Sequence, residues 1–378
     1  MSKTYSPNHD FALNALIPSK EKYSSLYKRS INEPIAFWEE IAGRLSWYES
    51  WHTVSQYDFI NGNIEWFSGG KLNASYNCID RHIEDGYGEK TAIIWEGNDP
   101  NQSKKLSYNE LLSEVSKFSN ALKELGVKKG DRVCIYMQMV PELAIAVLAC
   151  ARIGAVHSVV FGAFSSDSLK DRINDSHCKI LITQDTGVRG TKHNIPMKAN
   201  ADSAVAQTPS IEHVIVVCRT GESIEMDSDR DIWWHEAISD VSSICEPEIM
   251  DAEDPLFILY TSGSTGKPKG VLHTTGGYLT YVSFTHEMIF DYRPGDIYWC
   301  TADLGWITGH SYIIYGPLSN RATTLMFEGV PNYPDFGRFW DVVDKHNVNQ
   351  FYTAPTALRA LMKEGNKWVE SRDLSSLR

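Results

Sequence analysis

Ten consecutive residues, TSGSTGKPKG at 261–270, hold three glycines, four hydroxyl side chains and two lysines, a set suited to surrounding an anion. Gly263, Gly266 and Gly270 let the backbone take positive φ and approach a ligand closely, so successive N–H groups can converge into an anion-binding nest. Thr261, Ser262, Ser264 and Thr265 add hydroxyl donors, and Lys267 and Lys269 add full positive charge. This is not a Walker A loop, because the first lysine follows G-x-x-G and Pro268 comes directly after it, which keeps that lysine out of a helix start. The segment reads as a flexible flap; a solvent-exposed Gly/Ser turn is the alternative that these residues alone leave open.

Other groups are weaker by themselves. Arg189 and Lys192, separated by Gly190 and Thr191, can both reach one phosphate cluster, yet the same spacing also describes a solvated basic turn. Trp306 reads equally as a core aromatic, and His310 as a buried core histidine without a catalytic role. The seven cysteines stand singly with no C-x-x-C pair, which argues against a disulfide framework or a zinc site and for buried thiols.

These residues need a scaffold, and the chain alternates apolar β-branched runs with helical segments from about residue 76 onward. That is the pattern of parallel sheets flanked by helices, an α/β fold. Ser107 with Glu110 forms a capping box for a helix that Gly126 ends. A strand at 133–137, a helix at 141–152 opened by Pro141, and a strand at 156–160 follow. Further strands are expected near 180–183, 214–218, 256–261, 297–300, 323–327 and 350–352, with a helix over 335–346. The leading 75 residues carry Trp38, Trp47, Trp51 and Trp66 and short helical pieces such as 34–45. They are expected to wrap the rest through aromatic surface, giving a division into 1–75 and 76–378.

Composition sets the outer limits. Hydrophobic residues make up 42% and charged residues 22% of the 378, the balance of an ordinary globular chain. A net charge of −12 argues against nucleic acid or an anionic membrane surface as partner, so a polyanionic ligand needs a locally built positive site. The longest apolar stretch, 143–151, is far short of the roughly 20 residues that span a bilayer, and no apolar signal region opens the chain; a cytoplasmic protein is expected.

The 261–270 string resembles the phosphate-loop signature of the adenylate-forming superfamily, and its surroundings resemble the AMP-forming acetyl-CoA synthetase branch. TADLGWITGHSY at 301–312, FEGVPNY at 327–333 and HSVVFGAFS at 157–165 carry that second likeness, which runs from about Tyr5 to the last residue. The resemblance implies the large N-terminal domain of an acyl-CoA-synthetase-like fold. It also implies an ATP- and Mg²⁺-dependent ligase that forms acetyl-AMP and pyrophosphate from acetate, then acetyl-CoA and AMP. Thr261, Ser262, Gly263, Ser264, Thr265, Gly266 and Lys267 would hold the ATP phosphates, Lys267 and Lys269 stabilising the departing pyrophosphate. Arg189, Gly190, Thr191, Lys192, Thr308 and Asn332 would contact coenzyme A, and Trp306, Ile307 and Thr308 would wall the acyl pocket. No metal-ligating residue is assigned. Two departures stand out: Ala163 replaces a glycine common among relatives in F-G-G-F-S, and complete synthetases continue for well over two hundred residues more. The fold is therefore expected to be incomplete at its C-terminal end, without the small C-terminal domain. A non-catalytic nucleotide- or coenzyme-A-binding fragment and a propionyl-CoA synthetase are the competing functions.

Overall fold

A computed structural model describes residue 5 and residues 7–261 and 268–378. Two sheets organise the chain. The larger has seven strands in the order Asp231–Trp233, His213–Val217, Ile180–Gln184, Arg132–Ile135, Val156–Val159, Pro255–Thr261 and Lys269–Thr274. Its neighbours run parallel except for the last pair, an antiparallel hairpin. The second sheet has five strands, Gln350–Tyr352, Ile297–Cys300, Thr323–Phe327, Thr91–Glu96 and Ser103–Ser107, again parallel but for the final pair.

Alternation along each strand explains the layering, because successive side chains point to opposite faces. Val133 and Ile135 join the main core, whereas Cys134 and Tyr136 face a second cluster built with the helices Ser166–Ser176 and Met197–Val205. In the smaller sheet Ile93 and Met326 point to that same main core, while Ile94 and Leu325 turn outward onto Phe339, Val342 and Val343 of the helix Arg338–His346. The main core thus lies between the two sheets and is filled by the helices Tyr108–Glu124 and Pro141–Arg152. Burying one Leu or Phe of this kind contributes about 1.5–3 kcal/mol.

The expected helix over 141–152 and the Ser107–Glu110 capping box are both present, and Gly126 takes φ 80° just past the helix end. Other boundaries shift. The 34–45 helix stops at Ala42, the 335–346 helix begins at Arg338, and the strand over 133–137 is Arg132–Ile135. The four N-terminal tryptophans pack as foreseen: Trp47 and Trp51 lie 4.9 Å apart, and Trp38 meets Phe284 of the helix Thr275–Phe290 at 6.0 Å. Trp66 is tied down by its N–H, which donates to Glu253 at 2.6 Å.

All seven cysteines are free thiols, six of them buried and Cys218 exposed. Among the described residues no helix is long and apolar enough to cross a membrane.

Candidate functional site

One cavity of about 570 Å³ draws most of its lining from six segments that each follow a parallel strand, with Ile195 and Phe339 among the rest. From the larger sheet come Gln138 and Met139 after Arg132–Ile135, Phe161 to Ala163 after Val156–Val159, and Arg189 after Ile180–Gln184. From the smaller sheet come Thr301, Ala302, Asp303 and Trp306 after Ile297–Cys300, Glu328 to Pro331 after Thr323–Phe327, and Ala354, Thr356 and Ala357 after Gln350–Tyr352. Carboxyl ends of parallel strands are where open α/β folds bind ligands, since the connecting loops diverge there and leave a crevice. Pro255–Thr261 runs parallel to Val156–Val159, so its carboxyl end, Thr261, lies at the same edge.

Ser262, Gly263, Ser264, Thr265, Gly266 and Lys267 lie outside the described residues. What flanks them is defined: Thr261 pairs in register with Lys269, and Tyr260 with Gly270, in the antiparallel pair at the sheet's edge. Both Thr261 and Lys269 are exposed. The return strand Lys269–Thr274 was not foreseen in the sequence, because its outer position leaves most of it exposed and without the apolar run that marks a buried strand.

Arg189, Gly190, Thr191 and Lys192 form the tip of a small hairpin between Gly187–Arg189 and Lys192–Ile195. Gly190 takes φ 59°, in the left-handed region where glycine is favoured. Its N–H donates to Asn98 Oδ1 at 2.6 Å, and its carbonyl accepts from Asn98 Nδ2 at 3.0 Å. Gln138 anchors the base, donating to the Val188 carbonyl at 3.0 Å and accepting from the Val188 N–H at 2.9 Å. A β-carbon on Gly190 would come within 3.2 Å of Val330 and 3.7 Å of Tyr333, so the tip lies against the loop that carries Asn332. Arg189, Lys192 and Asn332, distant in sequence, are exposed on neighbouring loops.

The proposed acyl-wall residues divide. Trp306 is 53% exposed, faces the 570 Å³ cavity and has its ring 6.3 Å from Phe161. Ile307 turns the other way, into a cavity of about 610 Å³ shared with Trp66, Phe67, His273, Tyr278 and Ser311. Thr308 is half-buried within the helical turn Ile307–Gly309. Position 305 must be small: a β-carbon on Gly305 would sit 2.8 Å from Phe161 Cα. Ala163, the residue that departs from the glycine of relatives, lines the Trp306 cavity. His310 is a core residue as read, its ring stacked on His157 at 5.4 Å, and burial pushes it down to about 3.

Sequence reading missed Asn98, Asp303 and the Glu328–Arg219 pair. Burial pushes the Asp303 carboxyl up to about 6, against the opposing pull of the Gly305 N–H and the Arg189 charge. Glu328, wholly buried as a side chain, accepts from Arg219 Nε at 2.8 Å and Nη2 at 2.7 Å. Little in the sequence marks them: Asn98 sits in a Gly-Asn-Asp-Pro turn, and no local signal points to a partner 92 residues away.

A layered α/β core with a crevice at the strand ends, and a Gly/Ser/Lys-rich sequence joining two strands of the larger sheet, defines a nucleotide-handling class. The chain belongs to the AMP-binding enzyme family, whose family model matches residues 80–378. Residues 23–78 match a second model, the acetyl-coenzyme A synthetase N-terminus. Acetyl-coenzyme A synthetase of Magnetococcus marinus is 59% identical over 377 residues, covering 100% of this chain and 58% of that protein. The enzyme of the same name from Saccharophagus degradans is 60% identical over 97% of this chain and 57% of its own length. Acetyl-coenzyme A synthetase 2 of Pseudomonas putida is 59% identical over 96% and 56%. The chain therefore spans rather more than half the length of these relatives.

Proposed function

We propose that this chain carries the acyl- and coenzyme-A-binding part of a ligase that joins acetate to coenzyme A through acetyl-AMP. The observation that supports it most is the convergence of Arg189, Trp306 and the loop before Asn332 on one cavity at the strand ends. The names of its relatives point to the same substrates.

In this reading acetate, ionised at neutral pH, attacks the α-phosphorus of ATP, and pyrophosphate leaves. That step needs positioning and charge neutralisation rather than a protein nucleophile. Lys267, Lys269 and the N–H and hydroxyl groups of Thr261, Ser262, Gly263, Ser264, Thr265 and Gly266 would hold the phosphates. Among the described residues no cluster of three or more His, Cys, Asp or Glu is arranged to grip a metal. Mg²⁺ would bind through the phosphate oxygens, its usual mode in nucleotide sites, and neutralise their charge. Trp306 and Thr308 would bound the acyl group, whereas Ile307, expected from the sequence as a third wall residue, lines the neighbouring cavity. Arg189, Gly190, Thr191, Lys192, Thr308 and Asn332 would meet coenzyme A. The division into an N-terminal extension over 1–75 and an AMP-binding region over 76–378, and a cytoplasmic site of action, belong to the same reading.

The test is ATP–pyrophosphate exchange by the full gene product with acetate, propionate and butyrate. Acetate-dependent exchange is expected, with propionate and butyrate weaker; a propionate preference would assign the other short-acyl reaction. Gly266→Leu and Lys267→Ala should depress exchange, and unchanged exchange in both would refute the loop's role. Acetyl-AMP formation by residues 1–378 alone distinguishes an active unit from a binding fragment.

A further inference from the structure

We propose that the Asp303 carboxylate is the base that accepts the coenzyme A thiol proton in the thioester-forming step, an assignment that rests on the ligase reading above. Among the described residues the charged groups lining the Trp306 cavity are Asp303, Arg189 and Glu328. Glu328 is committed elsewhere: both its oxygens are held by Arg219, and Oε2 also accepts the Asn98 N–H at 3.3 Å. Asp303 is placed differently. One oxygen accepts the Gly305 N–H at 2.7 Å, which fixes the carboxyl's orientation, and among the described residues it forms no ion pair. It sits three residues before Trp306 and lines the same cavity as Arg189 and Trp306, the cavity in which the thiol and the acyl group would meet.

The chemistry requires such a group. An ordinary thiol has a pKa of about 8.5, and the thiolate is the nucleophile, so at neutral pH most coenzyme A is unreactive. The S–H proton passes to the Asp303 oxygen. The sulfur forms its bond to the acyl carbon, the bond from that carbon to the adenylate oxygen breaks, and the electron pair leaves on AMP. The protonated carboxyl then returns its proton to water. A carboxyl raised to about 6 by burial remains ionised at pH 7 and is a stronger base than an ordinary aspartate. Arg189 is the charged group that faces it from the hairpin, and its cation favours the ionised form.

The decisive variant is Asp303→Asn, which keeps an acceptor for the Gly305 N–H and removes only the base. In the full gene product, acetate-dependent ATP–pyrophosphate exchange reads the first half-reaction and transfer from preformed acetyl-AMP to coenzyme A reads the second. The expected result is a loss of about a hundredfold or more in transfer, the usual weight of a positioned base, with exchange within a few-fold of the parent. The parent's transfer rate should level off above about pH 6. The variant's should instead climb with unit slope toward the thiol's own pKa of about 8.5. Transfer within a few-fold of the parent, or transfer and exchange falling in parallel with the pH profile unaltered, would overturn the assignment. Absence of exchange in the parent would refute the ligase reading and this assignment with it.

Discussion

Asn98→Ala tests how the hairpin that carries Arg189 and Lys192 is held in place. Asn98 is 3% exposed and serves both backbone groups of Gly190, accepting its N–H at 2.6 Å and donating to its carbonyl at 3.0 Å. Removing the side chain loses two hydrogen bonds worth about 1 kcal/mol each and leaves two buried backbone groups, each penalised by about 1–3 kcal/mol when unsatisfied. Water can reach the turn from its exposed neighbours Arg189 and Thr191, so the lower end applies, roughly 2–3 kcal/mol in all. The Gln138 bonds to Val188 remain and keep the base of the hairpin in register. Only part of that energy must then be recovered on binding, and KM for coenzyme A should rise roughly tenfold, about 1.4 kcal/mol. The assay pairs urea denaturation with steady-state kinetics in coenzyme A, and acetate-dependent exchange, which uses no coenzyme A, serves as control. Asn98→Asp keeps the acceptor but loses the donor and should fall between parent and Ala. A denaturation midpoint and a coenzyme A KM both unchanged in Asn98→Ala would refute this account of the clamp.

Gly305→Ala places a methyl group 2.8 Å from Phe161 Cα and 2.9 Å from its N, backbone that cannot swing aside, so the Trp306 segment must shift. Acetate-dependent exchange should drop roughly tenfold while the denaturation midpoint falls by the equivalent of about 1–3 kcal/mol. Glu96, wholly buried as a side chain, accepts from His346 Nε2 at 2.8 Å and Lys345 Nζ at 2.9 Å, with Arg338 Nη2 at 2.9 Å from its other oxygen. Burial alone would raise its pKa, but the His346 and Lys345 hydrogen bonds and the Arg338 charge outweigh that and hold it below the ordinary 4.5. A depressed folded value means the stabilisation is present above about pH 4.5 and is lost as pH falls through the folded value. Glu96→Gln should therefore cost about 3–5 kcal/mol near pH 7 and flatten the acid limb of the stability profile measured by urea denaturation.

Much of this protein was legible from local chemistry. Pro141 at a helix start, the Ser107–Glu110 box and the apolar run before Thr261 each declare themselves within a few residues, because caps and buried strands are governed by neighbours in sequence. The likeness of 157–165, 301–312 and 327–333 to one enzyme branch was equally readable, and the family match supports it. The exposed return strand Lys269–Thr274 escaped, since an edge strand gains its partners by hydrogen bonding to Pro255–Thr261 rather than by apolar patterning. Tertiary structure alone decided that Trp306 and the adjacent Ile307 face separate cavities, and that Asn98 grips Gly190 across 92 residues. It also decided that Glu328 is held by Arg219 while Asp303, in the same cavity as Arg189, forms no ion pair among the described residues. Residue types determine which anions and acyl groups a chain can attract; which side chains share a cavity depends on the order in which strands from two sheets bring their carboxyl ends together.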